Sequence, residues 1–303
     1  METRMELSRR TFIKFAGAAG AAGVVARPKP AAASALRPVN TPAVLVDTTR
    51  CAGCRGCEAA CSESNHLPGP ALQGQDAVFS KFRKTDVKVY TVVNRAKADS
   101  KQGEARYVKS QCMHCLDPAC ASACLAKALE QTAAGPGVYH PERCLGCRYC
   151  MVACQFDVPK FEFDSPSPYI NKCSFCAERQ EQGLQPACVS VCPTGALQFG
   201  HREELIEDAR TRIYQNPDKY VHHIYGESEA GGTSWLYITD VPFEKLGFRT
   251  DLGATSPPEL TRTALAAVPF VLTLWPPLLM GLYTFSKRRA EASKGTDQEA
   301  HHD

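Results

Sequence analysis

The alternation of hydrophobic and polar positions predicts only short elements through most of the chain. Residues 87–94 and 106–110 are rich in β-branched and aromatic side chains, which favours two strands of a hairpin. A further strand is expected from Trp235 to Thr239, and an amphipathic helix from Arg202 to Tyr214. The apolar face of that helix is formed by Leu205, Ala209 and Ile213. The pattern therefore predicts an α+β fold of short strands and helices joined by loops.

One long apolar segment lies near the C-terminus. The 22 residues from Ala264 to Phe285 carry no formal charge and as a helix would span about 33 Å, enough to cross a hydrocarbon core of about 30 Å. The basic residues 287–289 follow at once, so the positive-inside rule puts the C-terminus in the cytoplasm and the main body outside. We expect a linker at 242–262, a transmembrane anchor at 263–286 and a cytoplasmic tail at 287–303. A buried helix of a soluble protein is the alternative.

The N-terminus has the pattern of a twin-arginine export signal. Arg9 and Arg10 precede Phe12 and Lys14, and a short Ala/Gly-rich apolar run extends to Ala26. That run is too short to span a bilayer. We therefore expect a signal peptide at 1–35, and a protein on the periplasmic face of the bacterial inner membrane with a single C-terminal anchor. This orientation agrees with the charge distribution around the anchor.

Composition and charge exclude some functions. The formal net charge of +3 among 303 residues is too small to indicate nucleic-acid binding. The sixteen cysteines are the exceptional feature, because they are too many for catalytic thiols alone. They fall into four groups of four without remainder. In chain order the groups are Cys51, Cys54, Cys57 and Cys61; Cys112, Cys115, Cys120 and Cys124; Cys144, Cys147, Cys150 and Cys154; and Cys173, Cys176, Cys188 and Cys192.

Three kinds of chemistry could use these groups. Disulfides suit an exported protein, but C-x2-C-x2-C crowds its sulfurs into one turn, where pairing geometry is poor. Zinc prefers two C-x2-C knuckles separated by a longer loop, which only the fourth group resembles. The run C-x2-C-x2-C-x3-C of the first and third groups is the bacterial ferredoxin pattern for a [4Fe–4S] cluster, whose fourth thiolate serves a neighbouring cluster. The sequence therefore predicts four [4Fe–4S] clusters.

The groups also repeat internally. The first matches the third, and the second matches the fourth, which indicates a duplicated two-cluster ferredoxin-like domain over 36–241. Each ferredoxin unit needs one group of each type, so the first group could pair with the second or with the fourth. The short interval from Cys124 to Cys144, against the long one from Cys61 to Cys112, favours the second and third groups as neighbours.

The chain resembles the four-cluster electron-transfer subunits of membrane redox enzymes. The resemblance rests on the four spacings and on the stretches 111–115, 147–154 and 158–160. That superfamily includes the beta subunits of formate dehydrogenase, nitrate reductase and polysulfide reductase. The segments 199–205 and 225–233 are most similar to the iron–sulfur subunits of hydrogenase-2 type (HybA-type) uptake hydrogenases.

The resemblance implies which cysteines bind each cluster. The implied sets are Cys51, Cys54, Cys57 and Cys192; Cys61, Cys173, Cys176 and Cys188; Cys112, Cys115, Cys120 and Cys154; and Cys124, Cys144, Cys147 and Cys150. Proline commonly follows the last cysteine of a group, but here only Cys192 has one. The sequence therefore does not fix the reduction potentials of the clusters near Cys124 and Cys154. It also leaves two roles possible for His114, Lys109, Lys160 and Lys172. They could adjust the reduction potentials of the clusters, or they could be ordinary packed or solvated residues.

The expected function is electron relay without catalysis. Electrons would pass between a periplasmic catalytic subunit, which the resemblance suggests is a [NiFe] uptake hydrogenase, and a quinone-reacting subunit in the membrane. No cysteine remains to build a nickel or molybdenum site. One alternative is the beta subunit of a formate dehydrogenase or other molybdopterin oxidoreductase. Another is an exported zinc- or disulfide-stabilised binding protein.

Overall fold

A computed structural model describes residues 41–70, 75–97, 103–132 and 135–299. The expected signal peptide at 1–35 and the last residues of the tail, 300–303, lie outside the described residues. The strands are β1 Pro42–Asp47, β2 Val92–Arg95, β3 Tyr107–Ser110, β4 Leu129–Gln131, β5 Gly137–Tyr139, β6 Lys160–Phe161, β7 Ile170–Asn171, β8 Leu197–His201 and β9 Trp235–Ile238. The helices are α1 Gly56–Ser64, α2 Gln75–Val78, α3 Ala119–Ser122, α4 Tyr149–Ala153, α5 Ala177–Glu181, α6 Ala187–Ser190, α7 Arg202–Gln215 and α8 Pro257–Glu299.

A three-stranded sheet with the order β8–β1–β9 joins distant parts of the chain. β1 pairs antiparallel with β8 and parallel with β9, so Val44 lies opposite both Phe199 and Trp235. As the central strand, β1 is apolar at every position from Ala43 to Val46, and both of its faces are buried. A short apolar run of this kind has no period that distinguishes a strand from a helix, and the sequence analysis did not predict β1.

The two faces of the sheet contact different cores, because side chains alternate along a strand. Ala43 and Leu45 pack with Leu236 against one side of α7. Val44 and Val46 point the other way, into a core that includes cysteine side chains and Trp235. The sheet thus separates a helix-covered apolar layer from the cysteine-rich layer. The amphipathic helix was correctly predicted, with Leu205 and Ala209 buried on its inner face.

Three two-stranded hairpins complete the described sheet structure. β2 pairs with β3, which confirms the predicted hairpin and sets its register with Val92 opposite Ser110. β4–β5 and β6–β7 are shorter hairpins that follow the second and third cysteine groups. The predicted strand at 235–239 is confirmed as β9. The α+β class is therefore established, and loops wound around the cysteines account for much of the domain.

The segment expected to be a linker, 242–262, differs from that expectation. A 3-10 turn covers Phe243–Leu246, and both of these residues are buried against Tyr225 and the rest of the core. The long helix α8 then begins at Pro257, earlier than expected, and Ser256 Oγ donates to Asp117 Oδ2 just before it. The stretch Pro257–Glu291 is long and apolar enough to cross a membrane, and its apolar window is not buried in the described structure.

Candidate iron–sulfur centres

The first and third cysteine groups fold into the same loop. Gly53 and Arg55 adopt left-handed conformations, and so do their repeat equivalents Gly146 and Arg148. α1 and α4 begin directly after the two arginines. Gly53 has a second reason to be glycine, because a Cβ atom there would lie 2.8 Å from the ring of Tyr107. The loop path explains the C-x2-C-x2-C spacing, since alternating left-handed residues turn successive cysteines inward.

Three cavities bring together cysteines that are distant in the chain. We call them sites 1 to 3. Site 1 is lined by Cys51, Cys54, Cys57 and Cys192. Site 2 is lined by Cys61, Cys173, Cys176 and Cys188. Site 3 is lined by Cys112, Cys115, Cys120 and Cys154. Each contains three cysteines of one group and one from another, which is the exchange implied by the family resemblance.

The remaining four cysteines form site 4, which lies nearer the surface. Cys150 is in electrostatic contact with Cys124, Cys144 and Cys147, and Cys124 and Cys144 pack beside it. Cys147 is exposed, like Cys54 in site 1. Exposed apolar side chains surround this part of the chain, namely Leu125, Leu145, Tyr149 and Val152.

Burial controls the protonation of the thiols. It raises the pKa of Cys51 to about 11 and that of Cys61 to about 12, because a thiolate is poorly solvated there and other cysteines are close. In site 3, burial raises the pKa of Cys120 to about 12 for the same reason. Four thiolates in such a cavity need a positive core to stabilise them. An iron–sulfur cluster supplies that charge, and soft sulfur donors match its ligand preference.

Backbone amides point at several sulfurs. The amide of Ala128 donates to Cys124 Sγ at 3.1 Å, and those of Gly146 and Phe175 donate to Cys144 and Cys173 Sγ, both at 3.4 Å. Hydrogen bonds of this type are a known determinant of cluster potential. They are present at site 4 although leucine, not proline, follows Cys124.

The arrangement does not suit disulfides or a single zinc ion. All sixteen cysteines lie within the described residues, and none of them forms a disulfide. Among the described residues, no group of three or more His, Cys, Asp or Glu side chains is arranged to hold one metal ion. The sulfurs of sites 1 to 3 instead line cavities, as the thiolates of a multi-atom cluster do.

Two lysines that the sequence left open are buried. Lys109 is 2% exposed and lines both site 1 and site 2. Burial acts to lower the pKa of Lys109, but the surrounding cysteine sulfurs outweigh it and raise the pKa above its ordinary value. Lys172 lines site 3, where its Nζ donates to Gly137 O at 2.7 Å. Lys160 is different, because it pairs with Asp157 outside the cavities.

His114 and Phe175 occupy equivalent positions in the second and fourth groups and stack on each other. Their ring centroids lie 4.9 Å apart, and both residues have left-handed backbones. His114 lines site 3 and Phe175 lines site 2, so the pair forms the wall between these sites. His114 Nδ1 accepts from the Gly137 amide, while burial holds the pKa of His114 well below its usual range, so the ring is neutral. Phe175 was not among the residues predicted from the sequence, although its alignment with His114 in the repeat could have indicated it.

Comparisons with known proteins identify an iron–sulfur domain and an export signal. Residues 104–202 match the family model of the 4Fe-4S dicluster domain, and residues 6–26 match that of the twin-arginine signal sequence, which confirms the predicted export signal. A protein of Nitratidesulfovibrio vulgaris is 44% identical over 97% of this chain and 81% of its own length. The hydrogenase-2 operon protein HybA of Escherichia coli O157:H7 is 36% identical over 79% of this chain and 83% of its own.

The formate dehydrogenase-O iron-sulfur subunit of E. coli K12 is 35% identical over 65% of this chain and 66% of its own length. The export signal and the exposed apolar helix fit a protein that is exported by the twin-arginine route and anchored at the periplasmic face of the membrane. The chain belongs to the HybA-like family of iron–sulfur subunits, which transfer electrons within oxidoreductase complexes and are not themselves catalytic.

Proposed function

We propose that this chain relays electrons through four [4Fe–4S] clusters between a periplasmic [NiFe] hydrogenase subunit and a quinone-reacting subunit in the membrane. When bound, such clusters accept and release single electrons. The observation that carries the proposal is the set of four cysteine sites. Neighbouring sites in this set share residues that line both of them or that lie between them. Sites 1 to 4 would each hold one cluster through their own four cysteines.

Shared walls favour the order site 1, site 2, site 3, site 4. Lys109 lies between sites 1 and 2, and the stacked His114 and Phe175 lie between sites 2 and 3. Cys120 of site 3 is in electrostatic contact with Cys150 of site 4. Cys54 and Cys147, the exposed cysteines, belong to the first and last members of this order. Electrons would therefore enter and leave through sites 1 and 4.

The start of α8 lies beside the cysteine loop of site 3. Asp117 belongs to the loop of site 3, and its hydrogen bond with Ser256 fixes the beginning of the anchor beside that loop. Site 4 and its exposed apolar side chains are next to site 3. We therefore assign the membrane partner to site 4 and the catalytic partner to site 1.

The catalytic chemistry must belong to another subunit, because all sixteen cysteines are assigned to the four sites. A hydrogenase partner is favoured by the similarity to HybA across most of both chains. A formate dehydrogenase or other molybdopterin partner is the second candidate, favoured by the relatives that match 65% of this chain. Purification of the intact membrane complex distinguishes them. Nickel in the complex supports the first, and molybdopterin without nickel supports the second.

Metal analysis and ligand variants test the relay itself. The anaerobically purified complex should contain about 16 iron atoms per copy of this chain, beyond those of its partners. Zinc in place of iron would overturn the proposal. The ligand sets are tested by Cys61→Ser, Cys188→Ser and Cys57→Ser. The first two should alter the same electron paramagnetic resonance signal and the third a different one. If Cys61→Ser and Cys57→Ser alter one signal together, the proposed exchange of cysteines between groups is wrong.

A further inference from the structure

Lys109 is an unusual residue to find between two metal centres. It lies on β3, and its side chain reaches the interior, where it lines site 1 and site 2 at once. It lines site 1 together with Cys57 and site 2 together with Cys188. No other lysine in the described residues lines two of the cavities.

The ammonium group is held in place by neutral partners. Its Nζ donates to Gln111 Oε1 at 2.8 Å, and Gln111 Nε2 donates to the Tyr237 hydroxyl at 2.7 Å. That hydroxyl donates in turn to Lys109 O at 3.0 Å, which closes a ring of hydrogen bonds. The ammonium also lies 4.3 Å from the centroid of the Trp235 ring. These contacts leave Lys109 little freedom to move.

The described part of the chain provides no carboxylate for this charge. Among the described residues, none lies within salt-bridge distance of Lys109, whereas the buried Arg55 and Arg106 each pair with an acidic side chain. A buried charge without a partner is strongly disfavoured. The thiolates and clusters of sites 1 and 2 are the negative groups available to offset it.

We propose that Lys109 sets the reduction potentials of both clusters of sites 1 and 2 by placing one fixed positive charge between them. This inference rests on the proposed function, because it requires clusters in both sites. Reduction adds one electron and therefore one negative charge to a cluster. A nearby cation stabilises the reduced form more than the oxidised form, and burial limits screening by water and salt. Lys109 thus raises both potentials.

The repeat equivalent of Lys109 is Ile170, which packs beside Cys150 of site 4 and carries no charge. Lys172 directly precedes Cys173 and so takes the repeat position of Gln111, and it lines site 3 but neither site 1 nor site 2. Two backbone carbonyls, Gly137 O and Cys173 O, accept from its Nζ. The duplicated halves therefore differ in charge, and the two clusters near Lys109 are tuned together while site 3 is tuned alone.

A redox titration of the intact complex tests this inference. In Lys109→Met, followed by electron paramagnetic resonance, two cluster potentials should fall. Each fall should correspond to about a tenfold change in the ratio of reduced to oxidised cluster, or about 59 mV for a one-electron couple. Lys109→Arg should keep both potentials near the wild-type values. Lys172→Met should shift one different cluster, and Lys84→Met, whose side chain is 73% exposed, should shift none.

The outcomes separate this inference from the proposed function. A wild-type complex without the expected iron and cluster signals would contradict the relay. Full iron in Lys109→Met with all potentials unchanged would contradict the role of Lys109 and leave the relay intact. If Lys109→Met loses iron, Lys109→Gln replaces it, since the amide can still contact Gln111 without a charge. Unchanged potentials in that variant, or an equal fall in Lys109→Arg, would also overturn the inference.

Discussion

Glu58 joins three parts of the domain through one buried carboxylate. It follows Cys57 on α1 and is 2% exposed. Its oxygens accept from the Val93 amide at 2.6 Å, from Arg55 Nη2 at 2.8 Å and from the guanidinium of Arg83. The carboxylate thereby connects the loop of site 1 to β2. We predict that Glu58→Gln, which preserves shape and removes the charge, destabilises the protein.

The magnitude follows from what the substitution leaves behind. Arg55 is 3% exposed, so it would lose its Glu58 counter-charge in a buried position, whereas Arg83 at 26% exposed can still reach water. Removing one partner of a buried ion pair costs about 3–5 kcal/mol. We expect about 3 kcal/mol, because glutamine can still accept from Val93. For a domain of this size, that corresponds to a fall of about 6–12 °C in the melting temperature.

The assay is the thermal loss of visible iron–sulfur absorbance in anaerobic protein. Glu63→Gln, an exposed substitution on the same helix, is the matched control and should change the midpoint little. Burial acts to raise the pKa of Glu58, but its arginine partners outweigh this and lower the pKa below the ordinary value of 4.5. The stabilisation is therefore complete above that pH and is lost only as pH falls below it. The difference between the variants should be constant around neutral pH. Equal midpoints for the two variants would refute the reasoning.

The remaining predictions concern the second ion pair, the core, the metal and the anchor. Asp240→Asn should cost about 1–3 kcal/mol, because the buried Arg106 would lose its Asp240 counter-charge and keep only the exposed Glu104; chemical unfolding against Asp251→Asn, an exposed control, measures the difference. Leu45→Ala should cost about 3 kcal/mol while the cluster signals stay unchanged, since Leu45 faces α7; altered signals would contradict the separation of the two layers. Chelation of iron should abolish protease resistance around the cysteine loops, because metal binding supplies folding free energy there; a resistant apoprotein would argue against this. Truncation after Ser256 should release the exported domain from washed membranes; retention would mean that partners alone hold it.

Local features of the chain were accessible from the sequence. The hairpin of β2 and β3, the helix α7 and the strand β9 were predicted because their side-chain periods are clear over several residues. The twin-arginine signal and the apolar anchor were also predicted from the sequence, because each depends on one continuous segment of the chain. β1 was not predicted, because a strand buried on both faces has no alternation.

Features that depend on contacts between distant parts of the chain could not be predicted from the sequence. Phe243 and Leu246 lie in a stretch that looks like a linker, yet both are buried because Tyr225 and the sheet provide an apolar surface for them. Lys109 looked equally compatible with a solvated surface. Its burial follows from the position of β3 against β9, which the hairpin pattern alone does not specify.

The sequence by itself determined the kind of chemistry, because the spacing of thiolates within a turn is a local property that selects iron–sulfur clusters. It also determined the route of export and the means of anchoring. The tertiary structure decided which groups of cysteines meet, which residues form the walls between sites and where the buried charges lie. These depend on closing long loops and on burying side chains together, so they are properties of the whole packed chain and of no single segment.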